Sequence, residues 1–163
     1  MITRRSVLGA VAAGAAGVGL AWHPRAAMAA EAFAVKFTDD EWRKRLSPEQ
    51  YAVLRESATE PPFTSPLDRE KRRGSFACAG CDQELFSSAT KFESGTGWPS
   101  FWAPIADTAV GTERDTSFGM VRVAVHCSRC GGHLGHVFDD GPKPTGLRYC
   151  MNGLAMTFKP LAA

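Results

Sequence analysis

Long apolar runs, a surplus of one charge and repeated or low-complexity tracts are all scarce in this chain of 163 residues. Nineteen Lys and Arg meet 17 Asp and Glu for a formal net charge of +2, so the charge balance does not call for a nucleic-acid partner. Even that excess is local. Arg4, Arg5 and Arg25 fall in the first 29 residues, which hold no acid, and the remainder is close to neutral. A content of 44% hydrophobic and 22% charged residues excludes a disordered chain, a collagen-like chain and a bundle of membrane spans. The length suits one packed domain and excludes a multidomain machine. Cysteine occurs five times, an odd number, so at least one thiol stands outside any pairing scheme within the chain.

Thr3-Arg4-Arg5-Ser6, the Ala/Gly-rich run Val7 to Trp22 and Ala27-Met28-Ala29 follow the order of a charged region, a weakly apolar core and a small-x-small cleavage site. Residues 1–29 are therefore expected to be a cleavable export signal, and residues 30–163 a single mature domain in the periplasm. The apolar run is 16 residues, short of the roughly 20 strongly apolar residues that span a bilayer, so no stable membrane anchor is expected. The paired arginines resemble a twin-arginine signal, from which Val7 and Gly9 depart. A general secretory signal is the alternative. A twin-arginine passenger crosses already folded, which suits a protein that takes up a metal before export.

In the mature part, Thr38-Asp39-Asp40-Glu41 and Ser47-Pro48-Glu49-Gln50 carry capping patterns in which a hydroxyl and a carboxylate or amide exchange bonds with the backbone. They predict a short helix over residues 39–46 and a second that ends before Pro61-Pro62. After Arg73 the chain breaks into short segments bounded by Gly, Pro and Asp. Strands are predicted over residues 75–77, 84–86, 118–125 and 154–158, with the β-branched alternation Val121, Val123, Val125 packing one face. With no helical pattern between them, antiparallel connections are favoured. The fold class is thus mainly β, with two short helices in front.

Cys78-Ala79-Gly80-Cys81 and Cys127-Ser128-Arg129-Cys130 are two Cys-x-x-Cys turns separated by 45 residues. Each directs two sulfurs to one point, and together they supply the four thiolates of a closed tetrahedral site. One structural zinc ion is the favoured reading, with iron in the same cage as the alternative. Disulfides inside Cys-x-x-Cys are strained, and no βαβ pattern supports a thioredoxin-like pair.

Cys150 is left over. Alone, a cysteine in a strand is more often a small buried hydrophobe than a nucleophile. Arg148 and Asn152 stand two residues to either side, so an extended strand projects all three from one face. A cation beside a thiol favours the attacking thiolate, and the amide can orient a bound group. His133 and His136 follow the second knuckle. Four thiolates already saturate zinc, so both imidazoles are free for proton transfer. His126, beside a cysteine of the knuckle, reads as structural, and His23 leaves with the leader. Trp98, in the Gly- and Pro-rich turn Gly95-Thr96-Gly97-Trp98-Pro99, is suited to line a pocket for a small apolar group. Phe101 is divided between such a pocket and the core.

From Glu60 to Phe158 these motifs resemble the B class of peptide methionine sulfoxide reductases. The resemblance rests on both knuckles, Gly97-Trp98-Pro99-Ser100-Phe101, Gly132-His133-Leu134-Gly135-His136-Val137-Phe138, Asp140-Gly141-Pro142, Thr145-Gly146-Leu147-Arg148-Tyr149-Cys150 and Asn152. It implies two antiparallel sheets, structural zinc on Cys78, Cys81, Cys127 and Cys130, and Cys150 as nucleophile. It also implies that Trp98 receives the substrate methyl group, with His133, His136, Arg148 and Asn152 completing the site. The implied substrate is a peptidyl methionine R-sulfoxide, reduced through a sulfenic acid on Cys150. Many members carry a recycling cysteine where this chain has Thr96, so an external reductant is expected, either a thioredoxin-like protein or a small thiol. Gly153 replaces a frequent Ser and is expected to be tolerated. No feature points to an oligomer, and a monomer is expected. The competing reading is a non-catalytic, zinc-stabilised module that binds peptides in the Trp98 cleft. A zinc hydrolase fits less well because the cage is closed.

Overall fold

Two capped helices, nine strands and three short 3-10 turns make up the computed structural model, which describes residues 33–162. The export signal expected over residues 1–29 lies outside them. Helix α1 (Asp39–Arg45) starts at Thr38, whose Oγ1 accepts from the Glu41 amide while the Glu41 carboxylate accepts from the Thr38 amide. Helix α2 (Pro48–Glu56) repeats this with Ser47 and Gln50. Both reciprocal caps satisfy backbone donors that a helix of this length otherwise leaves to water. The helices bury Trp42, Tyr51, Val53 and Leu54, and α2 packs against the strand His133–Phe138 and the 3-10 turn at Gly153–Ala155.

The strands are β1 (Gly74–Cys78), β2 (Glu84–Ser87), β3 (Lys91–Phe92), β4 (Ser100–Phe101), β5 (Val110–Asp115), β6 (Arg122–Cys127), β7 (His133–Phe138), β8 (Arg148–Met151) and β9 (Met156–Pro160). They form two antiparallel sheets, one in the order β2-β1-β9 and one in the order β3-β4-β8-β7-β6-β5. The fold is mainly β with two short helices, as the short segments imply. Phe76, Phe86 and Phe101 fill the core. Phe86 stacks on Phe101 with ring centroids 4.5 Å apart, and Phe76 meets Phe101 edge-on at 4.9 Å. Such aromatic contacts add to the burial of large apolar area.

The strand predicted over residues 118–125 begins late. Asp115 Oδ1 accepts from the Ser117 amide, and Phe118 and Gly119 adopt left-handed backbone angles, with φ of 54° and 71°. A hairpin turn therefore occupies the segment, β6 starts at Arg122, and Val121 is 69% exposed. Alternation there counted β-branched residues without weighing the turn chemistry of Asp-x-Ser and Phe-Gly. Similarly, residues 153–155 form a 3-10 turn before β9.

Candidate active site and metal centre

The knuckles close the ends of β1 and β6, one strand from each sheet. Cys78 Sγ lies 3.7 Å from Cys130 Sγ, Cys81 Sγ lies 3.5 Å from Cys127 Sγ, and all four sulfurs fall within 4.8 Å of one another. No pair is at the ~2.05 Å of a disulfide. A tetrahedron with metal–sulfur bonds of ~2.3 Å has edges of ~3.8 Å, so the quartet fits a four-coordinate ion without rearrangement. Cys78, Cys127 and Cys130 are buried and Cys81 is half-buried, and four thiolates would complete a tetrahedral shell with no position open to substrate. His126, also buried, meets Phe33 edge-on.

Cys150 sits on β8, an interior strand. It pairs with Ser100 on β4 to one side and with His136 on β7 to the other. It opens into a cavity of about 210 Å³ lined by Thr59, Trp98, Arg122, Gly135, His136, Phe138 and Asn152. The approach of β7 to β8 depends on Gly135, where an added Cβ would stand 2.1 Å from the Cys150 carbonyl oxygen. Gly135→Ala is expected to push the two strands apart at Cys150 and to lower turnover by about 10²-fold, the scale of a 1 Å misplacement. Steady-state kinetics on the folded variant measures it.

Trp98 is aimed by its neighbours. Its indole Nε1 donates to the Glu60 carbonyl at 3.1 Å, and the Phe63 amide donates to the Gly97 carbonyl at 2.7 Å. Gly97 has φ of 87°, and a Cβ there would meet the Phe63 backbone. Asn152 lies just past the end of β8 and is 3% exposed. Its Oδ1 accepts from the Glu60 amide, and its Nδ2 donates to the Leu134 carbonyl. A primary amide has two hydrogens, so one remains for the cavity.

Arg148 is held by Asp140 through two parallel bonds of 2.8 Å, and its guanidinium lies 4.5 Å from the centre of the Phe138 ring. The cation acts on the thiol in the expected direction but does not decide the net shift. Burial pushes the Cys150 thiol up, and the Thr96 hydroxyl and Arg148 pull against it without cancelling it. Desolvation of the charged form outweighs one partly screened cation.

The two histidines separate. His136 lines the cavity with Cys150, and its Nε2 is 2.8 Å from Asp115 Oδ2. Asp115 is held below the usual carboxylate range, first by Ser117, then by His136 and Arg122. His133 does not reach the Cys150 cavity. It lines an adjoining groove that also contains His136, and burial, with the charge of His136 as a smaller cause, lowers its pKa to about 4. Phe101 is corrected outright: it is fully buried between Phe76 and Phe86, a core residue rather than a pocket wall, because its strand partner face is already filled by rings.

Two contributors went unread in the sequence. Asp115 is the first, and its only signal was the Asp-x-Ser turn. Glu60 is the second. Its carboxylate accepts from the Gly153 and Leu154 amides at 2.6 and 2.9 Å, while its own backbone holds Asn152 and Trp98. Nothing local marks a glutamate as a hub between segments more than 90 positions apart.

Residues 46–160 match the family described as the SelR domain. A peptide methionine sulfoxide reductase MsrB of Agrobacterium fabrum is 54% identical over 127 residues, 78% of this chain and 94% of the relative. The MsrB of Methanosarcina barkeri is 57% identical over 126 residues, 77% of this chain and 89% of its own length. That of Pseudomonas putida strain W619 is 58% identical over 123 residues, 76% and 92% of the respective lengths. With a four-sulfur centre, a cavity built on Cys150 and similarity of this extent, the chain belongs to the SelR-domain, MsrB family of peptide methionine sulfoxide reductases.

Proposed function

We propose that this chain reduces methionine R-sulfoxide in oxidised proteins, with Cys150 as the nucleophile. The observation that carries this reading is the one free sulfur outside the metal quartet opening into a small cavity beside an apolar ring and an imidazole. Trp98 receives the substrate methyl group, and the remaining Asn152 amide hydrogen orients the sulfoxide oxygen. The Cys150 thiolate attacks the electrophilic sulfur, forming an S–S bond, while the oxygen takes up a proton. A second proton lets that oxygen leave as water, and attack of a water on the Cys150 sulfur breaks the S–S bond, gives methionine and Cys150 sulfenic acid and returns one proton, so methionine sulfoxide and one thiol become methionine and one sulfenic acid.

His136 is the proton donor in this reading. Its Nε2 is engaged by Asp115, which fixes the ring and leaves Nδ1 to exchange the proton. His133 lies outside the Cys150 cavity, and burial lowers its pKa to about 4, which favours His136 over it as the acid. Arg148, locked by Asp140, lowers the cost of the thiolate.

Among the described residues the other four cysteines are gathered in the quartet, and Thr96 stands beside Cys150. An external thiol therefore discharges the sulfenic acid. The first thiol forms a mixed disulfide and releases water, and a second thiol restores Cys150 and leaves as the disulfide. A thioredoxin-like protein or a small thiol fits that role. Zinc is the ion proposed for the quartet, where it would hold the two sheet ends together and take no part in the reaction. Export to the periplasm is proposed on residues 1–29 alone. The peptide-binding alternative is not favoured by the relatives.

The test is incubation with dithiothreitol and the separate R and S sulfoxide epimers of one peptide. A single chiral pocket for methyl, oxygen and backbone should consume the R epimer and leave the S epimer at the blank rate. Equal consumption of both would refute the assignment.

A further inference from the structure

Behind Cys150 lies a run of hydroxyls that the reaction above leaves unused. Thr96 Oγ1 is 3.8 Å from Cys150 Sγ. Ser94 Oγ is 2.8 Å from Thr96 Oγ1 and 2.7 Å from Ser100 Oγ. Ser100 Oγ, in a residue 1% exposed, is 3.0 Å from the Trp98 carbonyl oxygen. The run thus starts at the nucleophile and ends on the backbone of the residue whose ring lines the same cavity.

Counting hydrogens fixes its direction. A hydroxyl or thiol has one hydrogen to donate, and a carbonyl can only accept. With Cys150 as a thiol, four hydrogens meet four acceptors in one sense: the thiol donates to Thr96, Thr96 to Ser94, Ser94 to Ser100 and Ser100 to the Trp98 carbonyl. A thiolate has nothing to give and needs a donor. Thr96 can supply it only by turning away from Ser94, and the hydroxyl bond between them is kept only if Ser94, which also accepts from the Thr96 amide, turns to donate to Thr96 and Ser100 turns to donate to Ser94. The Trp98 carbonyl then loses its hydroxyl donor.

We propose that Thr96, Ser94 and Ser100 form a reversible hydroxyl chain that points away from Cys150 in its thiol form and toward it in its thiolate form. The three are positioning residues that couple ionisation of the nucleophile to the hydrogen bond on Trp98. A donor turned onto the thiolate stabilises it, and the broken bond at Trp98 opposes it. The charged and titratable groups facing Cys150 are Arg148 on its own strand, with Asp140 behind it, His136 across the ladder on β7, and Arg122 of β6 in the wall of the same cavity, the last two both paired with Asp115 of β5. From β4 and residues 94–99 come the hydroxyls and the Trp98 ring. The proposal rests on the reading of Cys150 as the reacting sulfur.

The experiment is the pH dependence of alkylation of Cys150 by iodoacetamide in the full chain, read by mass spectrometry on the peptide that contains it. Thr96→Val removes the donor to the thiolate. Its midpoint should rise by about one pH unit, with ~tenfold slower alkylation below the midpoint and an unchanged plateau at high pH. Thr96→Ser should restore the original midpoint. Ser94→Ala removes the acceptor that holds the Thr96 hydrogen away, so ionisation no longer requires reversal and the midpoint should fall. General loosening would hydrate the sulfur and lower both midpoints. An unmoved or lowered midpoint in Thr96→Val, or a raised one in Ser94→Ala, overturns the chain. Because the readout is the sulfur itself and not turnover, either result is separate from the failure of Cys150 as nucleophile, which would show as activity retained in Cys150→Ser.

Discussion

Cys150→Ser is expected to remove sulfoxide reductase activity, by on the order of 10⁵-fold or down to the blank. A serine hydroxyl at this position is far less ionised than a thiol and is a poor partner for a soft sulfur electrophile. The substitution exchanges one small atom for another on a strand paired on both sides, so folding should be little changed. The Thr96 hydroxyl and Arg148 remain beside it. Turnover with dithiothreitol and a peptidyl sulfoxide, set beside thermal unfolding and metal content, separates the outcomes. Lost activity with intact fold and metal supports covalent catalysis at this residue. A variant that still turns over would place the chemistry elsewhere, and one that binds peptide in a wild type incapable of reduction would favour the binding module.

The second large effect concerns the metal centre. Replacing Cys127 with serine, or stripping the ion with a strong chelator, should unfold the domain at ambient temperature or lower its melting temperature by tens of degrees. The comparison of magnitudes decides this. Structural zinc contributes about 10–16 kcal/mol of apparent binding free energy in small domains, whereas whole domains are stable by roughly 5–15 kcal/mol. Cys127 is fully buried and 3.5 Å from Cys81, so its loss also leaves three thiolates without their fourth partner. Circular dichroism melts with and without chelator, with metal counted by elemental analysis, provide the check. An unchanged melt after complete removal of the ion would show that the quartet is dispensable for folding.

Sequence and structure agree where chemistry is local. The helix caps at Thr38 and Ser47 depend on residues three positions apart, and each knuckle on a four-residue turn, so both could be read directly. The shared face of Cys150 and Asn152 followed from the two-residue period of an extended chain. The remainder depended on long-range pairing. Nothing along the chain joins Asp115 to His136 or Glu60 to Asn152, and only the sheet and the crossing loop bring them together. The two histidines looked equivalent at a spacing of three, yet on a strand an odd separation sends side chains to opposite faces unless a bulge intervenes. Here the irregularity between Val125 and His126 brings the rings back to 5.4 Å, edge to face, while only His136 reaches the Cys150 cavity. Phe101 was ambiguous because an aromatic next to a Gly/Pro turn serves core or pocket equally well until its neighbours are known.

The place of β8 between β4 and β7 has one more consequence. A backbone hydrogen-bonded along both edges cannot swing its sulfur outward after oxidation, as a loop-borne thiol could. In the proposed cycle the electron donor then has to enter by the doorway that the damaged side chain has just vacated. Repair and regeneration therefore take turns at a single stationary atom, and whatever crowds that doorway slows both halves of the cycle alike.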